Sequence, residues 1–177
     1  MDTGKYSYRQ LYNADLQRHI RDGYTRKLLK YFRKCQTTGG LLLYYYRWRF
    51  KKLKDKNNID IYGKCNIGPG LYLGHVCCIT INADATIGKN CNIHKGVTIG
   101  QENRGARKGV PTIGDCVWIG VNATVVGRIT IGDDVLIAPN SYVNSDVPSH
   151  SIVFGNPCII KHKENATEGY VNHKCSL

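Results

Sequence analysis

Long apolar runs are missing from this sequence of 177 residues. No stretch approaches the roughly 18 apolar residues that a membrane-spanning helix needs, and the first ten residues, MDTGKYSYRQ, lack the apolar core of a signal peptide. We therefore expect a protein that stays in the cytoplasm. The length allows one main domain, or one core with a short appendage.

The eight cysteines lack the pattern of a metal site or a disulfide framework. They form no C-x-x-C motif and only one adjacent pair, Cys77-Cys78. Cys65 and Cys91 fall on positions of a repeat, described below, that otherwise carry Ile, Ala or Val. We interpret the cysteines as small apolar filler in a reducing compartment, and we expect no metal.

Acidic residues are scarce in the first third of the chain. Residues 1–56 hold 15 Lys or Arg against 4 Asp or Glu, whereas residues 57–177 hold 10 against 9. The first segment also contains eight of the twelve tyrosines, and near its end aromatic and cationic residues interleave in LLLYYYRWRFKK. We interpret residues 1–56 as a basic, aromatic-rich segment of two or three helices.

Three roles are open for this basic segment. Its aromatic side chains can cap the end of the following domain while its charges are merely solvated. Residues 41–56 can instead make peripheral contact with the inner face of an anionic membrane, or hold an acidic substrate. Nucleic acid is not an expected partner, because no recognition motif accompanies the charge.

From Ile59 onward the chain repeats every six residues. The repeat predicts short strands joined by corners, three to a coil of about 18 residues, since a lone strand has period two and a helix about 3.6. A second small or apolar residue lies two positions before each rung. The rungs of the ladder are Ile61, Ile67, Leu73, Ile81, Ile87, Ile93, Ile99, Ile113, Ile119, Val125, Ile131, Ile137 and Val143.

Two breaks interrupt the ladder, and function in a regular repeat tends to lie at such breaks. The step from Leu73 to Ile81 is eight residues, which places two extra residues in a bulge over residues 74–78. The step from Ile99 to Ile113 is fourteen, so residues 100–112 leave the prism as a loop. We therefore expect a repeat domain over residues 57–160 with an inserted loop at 100–112, followed by a polar tail over residues 161–177.

His75 lies in the first break. When the three corners are counted in turn, one edge of the prism carries the rungs Leu73, Ile93, Ile119 and Ile137, and the residues that follow them there are His75, His94, Val121 and Pro139. Asp60 lies one coil earlier. Because adjacent coils are about 4.8 Å apart, we expect its carboxylate to orient the imidazole of His75.

Four runs within residues 57–161 carry a family resemblance: IDIYGKCNIGPGLYLGH, CNIHKGVTIG, RGARKGVPTIGDCVWIG and VFGNPCII. They resemble the serine acetyltransferase branch of the hexapeptide-repeat acyltransferases, and most closely its sugar and polysaccharide O-acetyltransferases. The resemblance implies a mainly β fold, a left-handed parallel β-helix with a short helical N-terminal segment, that works as a homotrimer. It also implies an O-acetyltransferase that uses acetyl-CoA, with His75 as general base and Asp60 as its partner.

The same resemblance suggests where the two substrates bind. The acetyl-CoA contacts fall on Val121, Pro139, Asn144, Ser145 and Lys161. On the acceptor side, His94 lies beside the groove, and the loop residues Arg107 and Lys108 are candidates to hold an acidic acceptor or a CoA phosphate. The alternatives are a corner histidine without a ligand and a solvated loop that covers the neighbouring subunit.

Three departures from true serine acetyltransferases point to another acceptor. Gly74 stands where they have Asp before the catalytic His, Arg107-Lys108 stands where they have an Arg-His pair, and their helical N-terminal domain is much longer. We therefore expect acetyl transfer to a hydroxyl of a sugar or a surface-polysaccharide precursor. Serine, the acceptor in cysteine biosynthesis, is the alternative.

Two other classes of β-helix protein are more distant alternatives. A zinc-dependent protein like γ-carbonic anhydrase needs three imidazoles around its metal ion, and the prism offers only His75 and His94. A non-enzymatic glycan-binding scaffold would have a groove that binds no CoA.

Overall fold

Helices open the chain in a computed structural model that describes residues 3–19 and 22–177. They are α1 (Tyr8–Arg18), α2 (Gly23–Thr37) and α3 (Gly40–Lys54), with short 3-10 turns at Thr3–Lys5 and Asp55–Asn57. Ser7 and Gln10 begin α1 with a capping box, and the carboxylate of Asp22 accepts from the first N–H groups of α2. Within the described ranges, no helix combines the length and apolarity needed to cross a membrane.

Short strands make up most of the remaining chain. They are β1 (Asp60–Ile61), β2 (Asn66–Ile67), β3 (Tyr72–Gly74), β4 (Thr80–Ile81), β5 (Thr86–Ile87), β6 (Asn92–His94), β7 (Thr98–Gly100), β8 (Thr112–Ile113), β9 (Trp118–Ile119), β10 (Thr124–Val126), β11 (Thr130–Ile131), β12 (Val135–Ile137), β13 (Tyr142–Val143), β14 (Ser151–Phe154) and β15 (Ile159–His162).

The strands form three sheets that are the sides of a prism. The first has the order β1-β4-β7-β10-β13, the second β2-β5-β8-β11, and the third β3-β6-β9-β12-β14-β15. Every strand pairing is parallel except that of β14 with β15, and from β1 to β14 each strand lies in a different sheet from the one before it. The coil of three short strands predicted from the six-residue period is confirmed, as is the parallel β-helix that the family resemblance implies, with about five coils.

The rungs of the ladder fill the interior of the prism. Ile61 pairs with Ile81 and Ile81 with Ile99, so side chains of one kind stack from coil to coil. Ile67 and Ile93 are completely buried, as are the rungs of the later coils. Since burying one such side chain stabilises a fold by about 1.5–3 kcal/mol, the stack is the main apolar contribution to stability.

The inserted loop and the tail both return to the β-helix. The loop closes as a hairpin, in which the N–H groups of Glu102 and Gly109 each donate to the other's carbonyl at 2.9 Å. The tail packs beside the third sheet, where the side chain of Asn90 bonds to the backbone of Cys175 in both directions. The predicted boundary at residue 160 falls inside β15, because this strand continues to His162 to complete its pairing with β14.

Side chains from α1 and α2 cap the first coil. A β-helix leaves unpaired backbone groups at each open end, which would otherwise attract another chain. Arg33 donates to the carbonyls of Ile67 at 2.6 Å and Gly68 at 2.7 Å, while its Nε and Nη2 donate to both carboxylate oxygens of Asp15. Asp15 in turn accepts from the N–H of Leu71 at 2.9 Å. Both charged side chains are completely buried.

Arg18, the last residue of α1, and His19, which follows it, extend this cap. The guanidinium of Arg18 donates to the Gly70 carbonyl at 2.6 Å and to Asn92 Oδ1 at 2.5 Å. Nε2 of His19 accepts from the N–H of Leu73 at 3.2 Å. Burial lowers the pKa of His19 to about 4, so the imidazole is neutral and able to accept at neutral pH.

Removing Asp15 is expected to open the cap. Asp15→Ala leaves the Arg33 charge buried without its partner, so we expect the free energy of unfolding to fall by about 3–5 kcal/mol. Urea denaturation followed by circular dichroism measures the change. Asp55→Ala is the matched control, because its ion pair with Lys51 is solvent-exposed and such pairs contribute little. Equal effects of the two substitutions would contradict the proposed importance of the cap.

The cap should also weaken in acid. The pKa of His19 is lower in the folded chain than in the unfolded chain, so its contribution is complete above pH 6.5 and is lost as the pH falls toward 4. From pH 7 to pH 5 we expect this residue to account for a loss of about 2 kcal/mol in the free energy of unfolding. Urea denaturation of wild type and His19→Gln at both pH values isolates the effect, and an unchanged pH dependence in the variant would exclude His19 as its source.

Candidate active site

One edge of the prism carries the predicted active-site residues in a row. The register of the third sheet pairs Leu73 with Ile93, Ile93 with Ile119, and Ile119 with Ile137. The corners that follow β3, β6, β9 and β12 therefore stack along the axis, as the ladder predicts. We call this the first edge, and it joins the third sheet to the first.

His75 lies at the bulge on the first edge. Its side chain is exposed, and its backbone is in the left-handed region, with φ of 52°. The bulge is held by its backbone, because the N–H of Cys78 donates to the Asn57 carbonyl at 2.9 Å and that of Gly96 to the Cys77 carbonyl at 3.1 Å. No hydrogen bond occupies the imidazole within the described part of the chain. A fixed backbone thus presents a free, solvent-facing base.

Asp60 lies beside the end of the same bulge. Its N–H donates to the carbonyl of Ile79 at 2.7 Å, and in the first sheet it pairs with Thr80, the first residue of β4. Its carboxylate forms an ion pair with Lys54 at 3.3 Å. Among the described residues, no hydrogen bond joins this carboxylate to His75. The structure thus places Asp60 beside the end of the bulge that contains His75 and gives its carboxylate another partner.

His94 fills the space next to Gly74. The two residues are in register on β3 and β6, and a Cβ on Gly74 would lie 2.4 Å from Nδ1 of His94. Burial lowers the pKa of His94, and the nearby charge of His75 lowers it further, so its imidazole is neutral at neutral pH. Its Nε2 is buried and has no hydrogen-bond partner among the described residues. Such a nitrogen is costly to leave unsatisfied.

A row of aromatic rings runs along the third sheet beside His94. Tyr72, His94 and Trp118 lie on successive coils, with centroid distances of 6.1 and 4.8 Å, and Tyr170 of the tail meets Trp118 at 5.1 Å. With Arg18 they line an open cavity of about 560 Å³. Sequence reasoning missed Tyr72 and Trp118. The signal was present, because both stand one position before a rung on the first edge and must point outward.

Val121 and Pro139 continue the first edge on the later coils. Val121 is half-buried and accepts at its carbonyl from the N–H of Asn140 at 2.9 Å, while Pro139 is exposed. Gly120 permits this packing, since a Cβ there would lie 2.7 Å from the backbone nitrogen of Pro139. These corners present backbone groups at the surface along the line that begins at His75.

The remaining predicted contacts lie elsewhere on the prism. Arg107 donates to the carbonyl of Asn144, so the inserted loop reaches the corner after β13, where Ser145 also lies. This second edge joins the first sheet to the second. Lys108 is exposed on the loop, and Lys161 is exposed on β15. A single copy of the chain therefore does not unite all the predicted contacts at His75.

Metal ligands do not converge in the described part of the chain. No group of three or more His, Cys, Asp or Glu side chains in residues 3–19 and 22–177 is arranged to hold a metal ion.

Sequence comparison identifies the repeat and the similar proteins. Residues 111–145 match the family model described as bacterial transferase hexapeptide (six repeats). The chain is 38% identical over 98 residues to a serine acetyltransferase of Helicobacter pylori, which covers 55% of this chain and 57% of the relative. It is 37% identical over 106 residues to serine acetyltransferase 2 of Arabidopsis thaliana, which covers 60% of this chain and 33% of the relative. The chain thus spans about a third to just over half of the length of these relatives.

Solved structures agree with this similarity. Serine acetyltransferase isoform 3 of Entamoeba histolytica, solved in complex with cysteine, has a TM-score of 0.71 at 28% identity, over 92% of this chain and 63% of that one. The serine acetyltransferase of Neisseria gonorrhoeae, solved in complex with serine, has a TM-score of 0.67 at 28% identity, over 86% of this chain and 68% of that one.

These comparisons overturn one prediction. We expected a sugar or a polysaccharide precursor as acceptor, but the similar curated proteins and solved structures are named as serine acetyltransferases. The expectation relied partly on Gly74, where an aspartate would be typical. The structure shows that the space beside this glycine is taken by His94 from the next coil. The chain is thus a parallel β-helix with a hexapeptide-repeat match at residues 111–145, and it is similar in sequence and fold to serine acetyltransferases.

Proposed function

We propose that the chain is an O-acetyltransferase that moves the acetyl group of acetyl-CoA to the hydroxyl of serine. The position of His75 carries the proposal. It is an exposed imidazole with no hydrogen bond in the described part of the chain, at the one bulge on the first edge. The similarity to serine acetyltransferases of several organisms supports both the reaction and the acceptor.

The reaction needs a base because a hydroxyl is a weak nucleophile at neutral pH. The imidazole of His75 takes the proton while the serine oxygen attacks the thioester carbonyl. The tetrahedral intermediate then breaks its carbon–sulfur bond, and the imidazolium returns the proton to the departing CoA thiolate. The products are O-acetylserine and CoA, and His75 is neutral again.

Asp60 is the proposed orienting partner of His75. Its backbone is tied to the end of the bulge, and its carboxylate is more than half exposed, with only an ion pair to Lys54 to hold it. Because the carboxylate side of this pair faces solvent, the ion pair is screened and leaves the carboxylate able to change partner. Catalytic hydrogen bonds often form fully only with substrate bound. We therefore infer that Asp60 turns to His75 when the acceptor is bound.

Assembly of three copies would complete the donor site. Val121 and Pro139 lie on the first edge, whereas Asn144 and Ser145 lie on the second edge, on the far side of the first sheet. We propose a threefold assembly about an axis parallel to the prism, in which the first edge of one copy lies against the second edge of its neighbour. We propose that acetyl-CoA binds between copies, where Arg107 and Lys108 of the loop can meet its phosphates. Lys161 remains a candidate for the same role.

His94 is proposed to contact the acceptor. It lies beside the residue that precedes His75, and its neutral ring carries an unsatisfied Nε2. Depending on its tautomer, a neutral imidazole nitrogen can donate to a hydroxyl, or accept from a hydroxyl or an ammonium group. A bound acceptor that supplied this partner would remove the cost of the unsatisfied nitrogen.

Removal of the base is the central test. With acetyl-CoA and L-serine, we expect wild type to release CoA thiol and to form O-acetylserine, measured by thiol titration and mass spectrometry. His75→Ala should lower kcat by about 10²- to 10⁴-fold, because the contribution of a general base is lost. Asp60→Asn should lower kcat by a smaller factor and leave the KM for acetyl-CoA nearly unchanged.

Two results would contradict this proposal. Near-normal turnover by His75→Ala would exclude His75 as the base, and acetylation of a different hydroxyl compound in preference to serine would exclude the acceptor. His162→Ala is the matched control, because His162 is exposed on β15 and its imidazole contacts only Glu164 among the described residues.

The contact between Gly74 and His94 is testable by a double-mutant cycle. Gly74→Ala should displace the His94 ring, raise the KM for serine and lower the free energy of unfolding. In a His94→Ala background, Gly74→Ala should lower the free energy of unfolding by a smaller amount. The difference between the two effects is the coupling energy, which we expect to be about 0.5–3 kcal/mol. Gly23→Ala is the control, because no atom lies within 4 Å of a Cβ at that position. Strict additivity of Gly74→Ala and His94→Ala would contradict the contact.

A further inference from the structure

The helix α3 leaves a large apolar face uncovered. Phe50 is buried against the ring of Phe32 on α2, and Leu43, Tyr46 and Leu53 are half-buried on the same side. The opposite side is open to solvent, with Leu41 89% and Trp48 50% exposed. We call this the outer face of α3, and it consists of Leu41, Leu42, Tyr44, Tyr45 and Trp48.

The outer face is continuous because its residues follow helical spacing. Leu41, Tyr45 and Trp48 are separated by four and three residues, which places them on adjacent turns of one side, and Lys52 continues the line. Contiguous exposed patches of large apolar side chains are uncommon in proteins that bind nothing there. We therefore expect the outer face to bind a partner that can contact leucine, tyrosine and tryptophan side chains together.

Cationic side chains surround this face and follow its aromatic rings. Lys52 Nζ lies 4.0 Å from the ring centroid of Trp48, and the guanidinium of Arg49 lies 5.9 Å from that of Tyr45. Long cationic side chains of this kind keep their charge in water while their stems lie along apolar surface. The arrangement suits a boundary between an apolar layer and an aqueous phase.

The charge of the surrounding helices has one sign. Residues 23–54, which include α2 and α3, contain no Asp or Glu and the ten basic residues Arg26, Lys27, Lys30, Arg33, Lys34, Arg47, Arg49, Lys51, Lys52 and Lys54. Arg33 is buried in the cap, while Arg26, Lys27, Lys30, Arg47, Lys51 and Lys52 are exposed. The field at this surface therefore attracts an anionic partner.

These features select among the possible occupants. A second copy of the chain would bring two positive faces together, which is unfavourable. A single-stranded nucleic acid would suit the cations and the aromatic rings but not the exposed leucines. A membrane surface with anionic lipids suits the cations, the aromatic rings and the leucines. Tyrosine and tryptophan favour the headgroup boundary, leucine favours the acyl region, and Lys and Arg contact phosphate.

We propose that the outer face of α3 docks on an anionic lipid surface and lies in the plane of its headgroups. The helix has 15 residues, five of them cationic, so it lies on the membrane and does not cross it. Three copies in the proposed threefold assembly would present this face from the same end of the prism. Weak contacts of the single copies would then add through multivalency.

Tryptophan fluorescence tests the proposal directly, because the chain contains only Trp48 and Trp118. In Trp118→Phe the sole reporter is Trp48. We expect its emission to shift to shorter wavelength when vesicles of phosphatidylcholine and phosphatidylglycerol are added, and to be quenched by lipids brominated on the acyl chains. Vesicles of phosphatidylcholine alone should produce a much smaller shift. In the matched variant Trp48→Phe, the emission of Trp118 should not change.

Charge reversal tests the electrostatic part of the proposal. In vesicle flotation, Lys51→Glu/Lys52→Glu should lower the membrane partition coefficient by about tenfold or more. Each basic residue contributes substantially to the binding free energy at an anionic surface. The control Lys163→Glu/Lys174→Glu changes two exposed lysines that lie outside α3 and should alter binding less than about twofold. Circular dichroism confirms that each variant is folded.

Three outcomes would overturn the proposal. One is that wild type fails to bind vesicles with phosphatidylglycerol at low salt. Another is that Tyr45→Ser and Trp48→Ser change the state of association in lipid-free sedimentation without affecting vesicle binding, which would assign the face to a second copy. The last is that these variants abolish binding of single-stranded RNA while vesicle binding persists. None of the measurements needs acetyl-CoA or serine, so their result is independent of the proposed reaction.

Discussion

A buried carboxylate–guanidinium pair closes the open end of the β-helix, and the arrangement of the rest depends on it. Asp15 and Arg33 compensate each other's charge and direct their remaining donors and acceptors to the backbone of the first coil. The exposed backbone edge of a solenoid invites pairing with another chain, and this pair prevents it. The cap reaches the strand before His75, because His19 accepts from the N–H of Leu73 at 3.2 Å.

The chemistry of the prism is distributed among its corners and not concentrated in a pocket. Each corner offers a few backbone groups and one or two side chains, so the proposed donor, acetyl-CoA, would have to be bound by several coils, or by two copies, together. In the proposed reaction, His75 transfers the proton at one end of the first edge and Asp60 orients it. His94 illustrates the cooperation between coils, because it provides the side chain that Gly74 lacks one coil earlier.

The repeat was predictable to the residue, while the cap and the acceptor were not. The interior of the prism accepts only small or aliphatic side chains at a fixed spacing. The positions of buried rungs such as Ile119 along the sequence are therefore enough to predict the coil. Asp15 and Arg33 lie on helices that do not follow the six-residue period, so the repeat does not predict which coil residues they contact. The acceptor prediction failed because it treated Gly74 alone, whereas the space beside it is filled by a residue twenty positions later. The repeat pattern also does not predict the ion pair of Asp60 with Lys54, because Lys54 lies on α3, outside the repeat.

The antiparallel strand β15 has a consequence for how proteins of this shape can vary. A parallel edge could accept another coil, but β15 reverses the chain and ends the third sheet, while the helices end the first coil. The two ends are thus distinct, whereas the interior coils are nearly interchangeable. Whole coils of about 18 residues are the natural unit of insertion or deletion. Each such event would move the later corners by about 4.8 Å relative to His75, so the distance from His75 to the far end of the first edge changes in discrete steps.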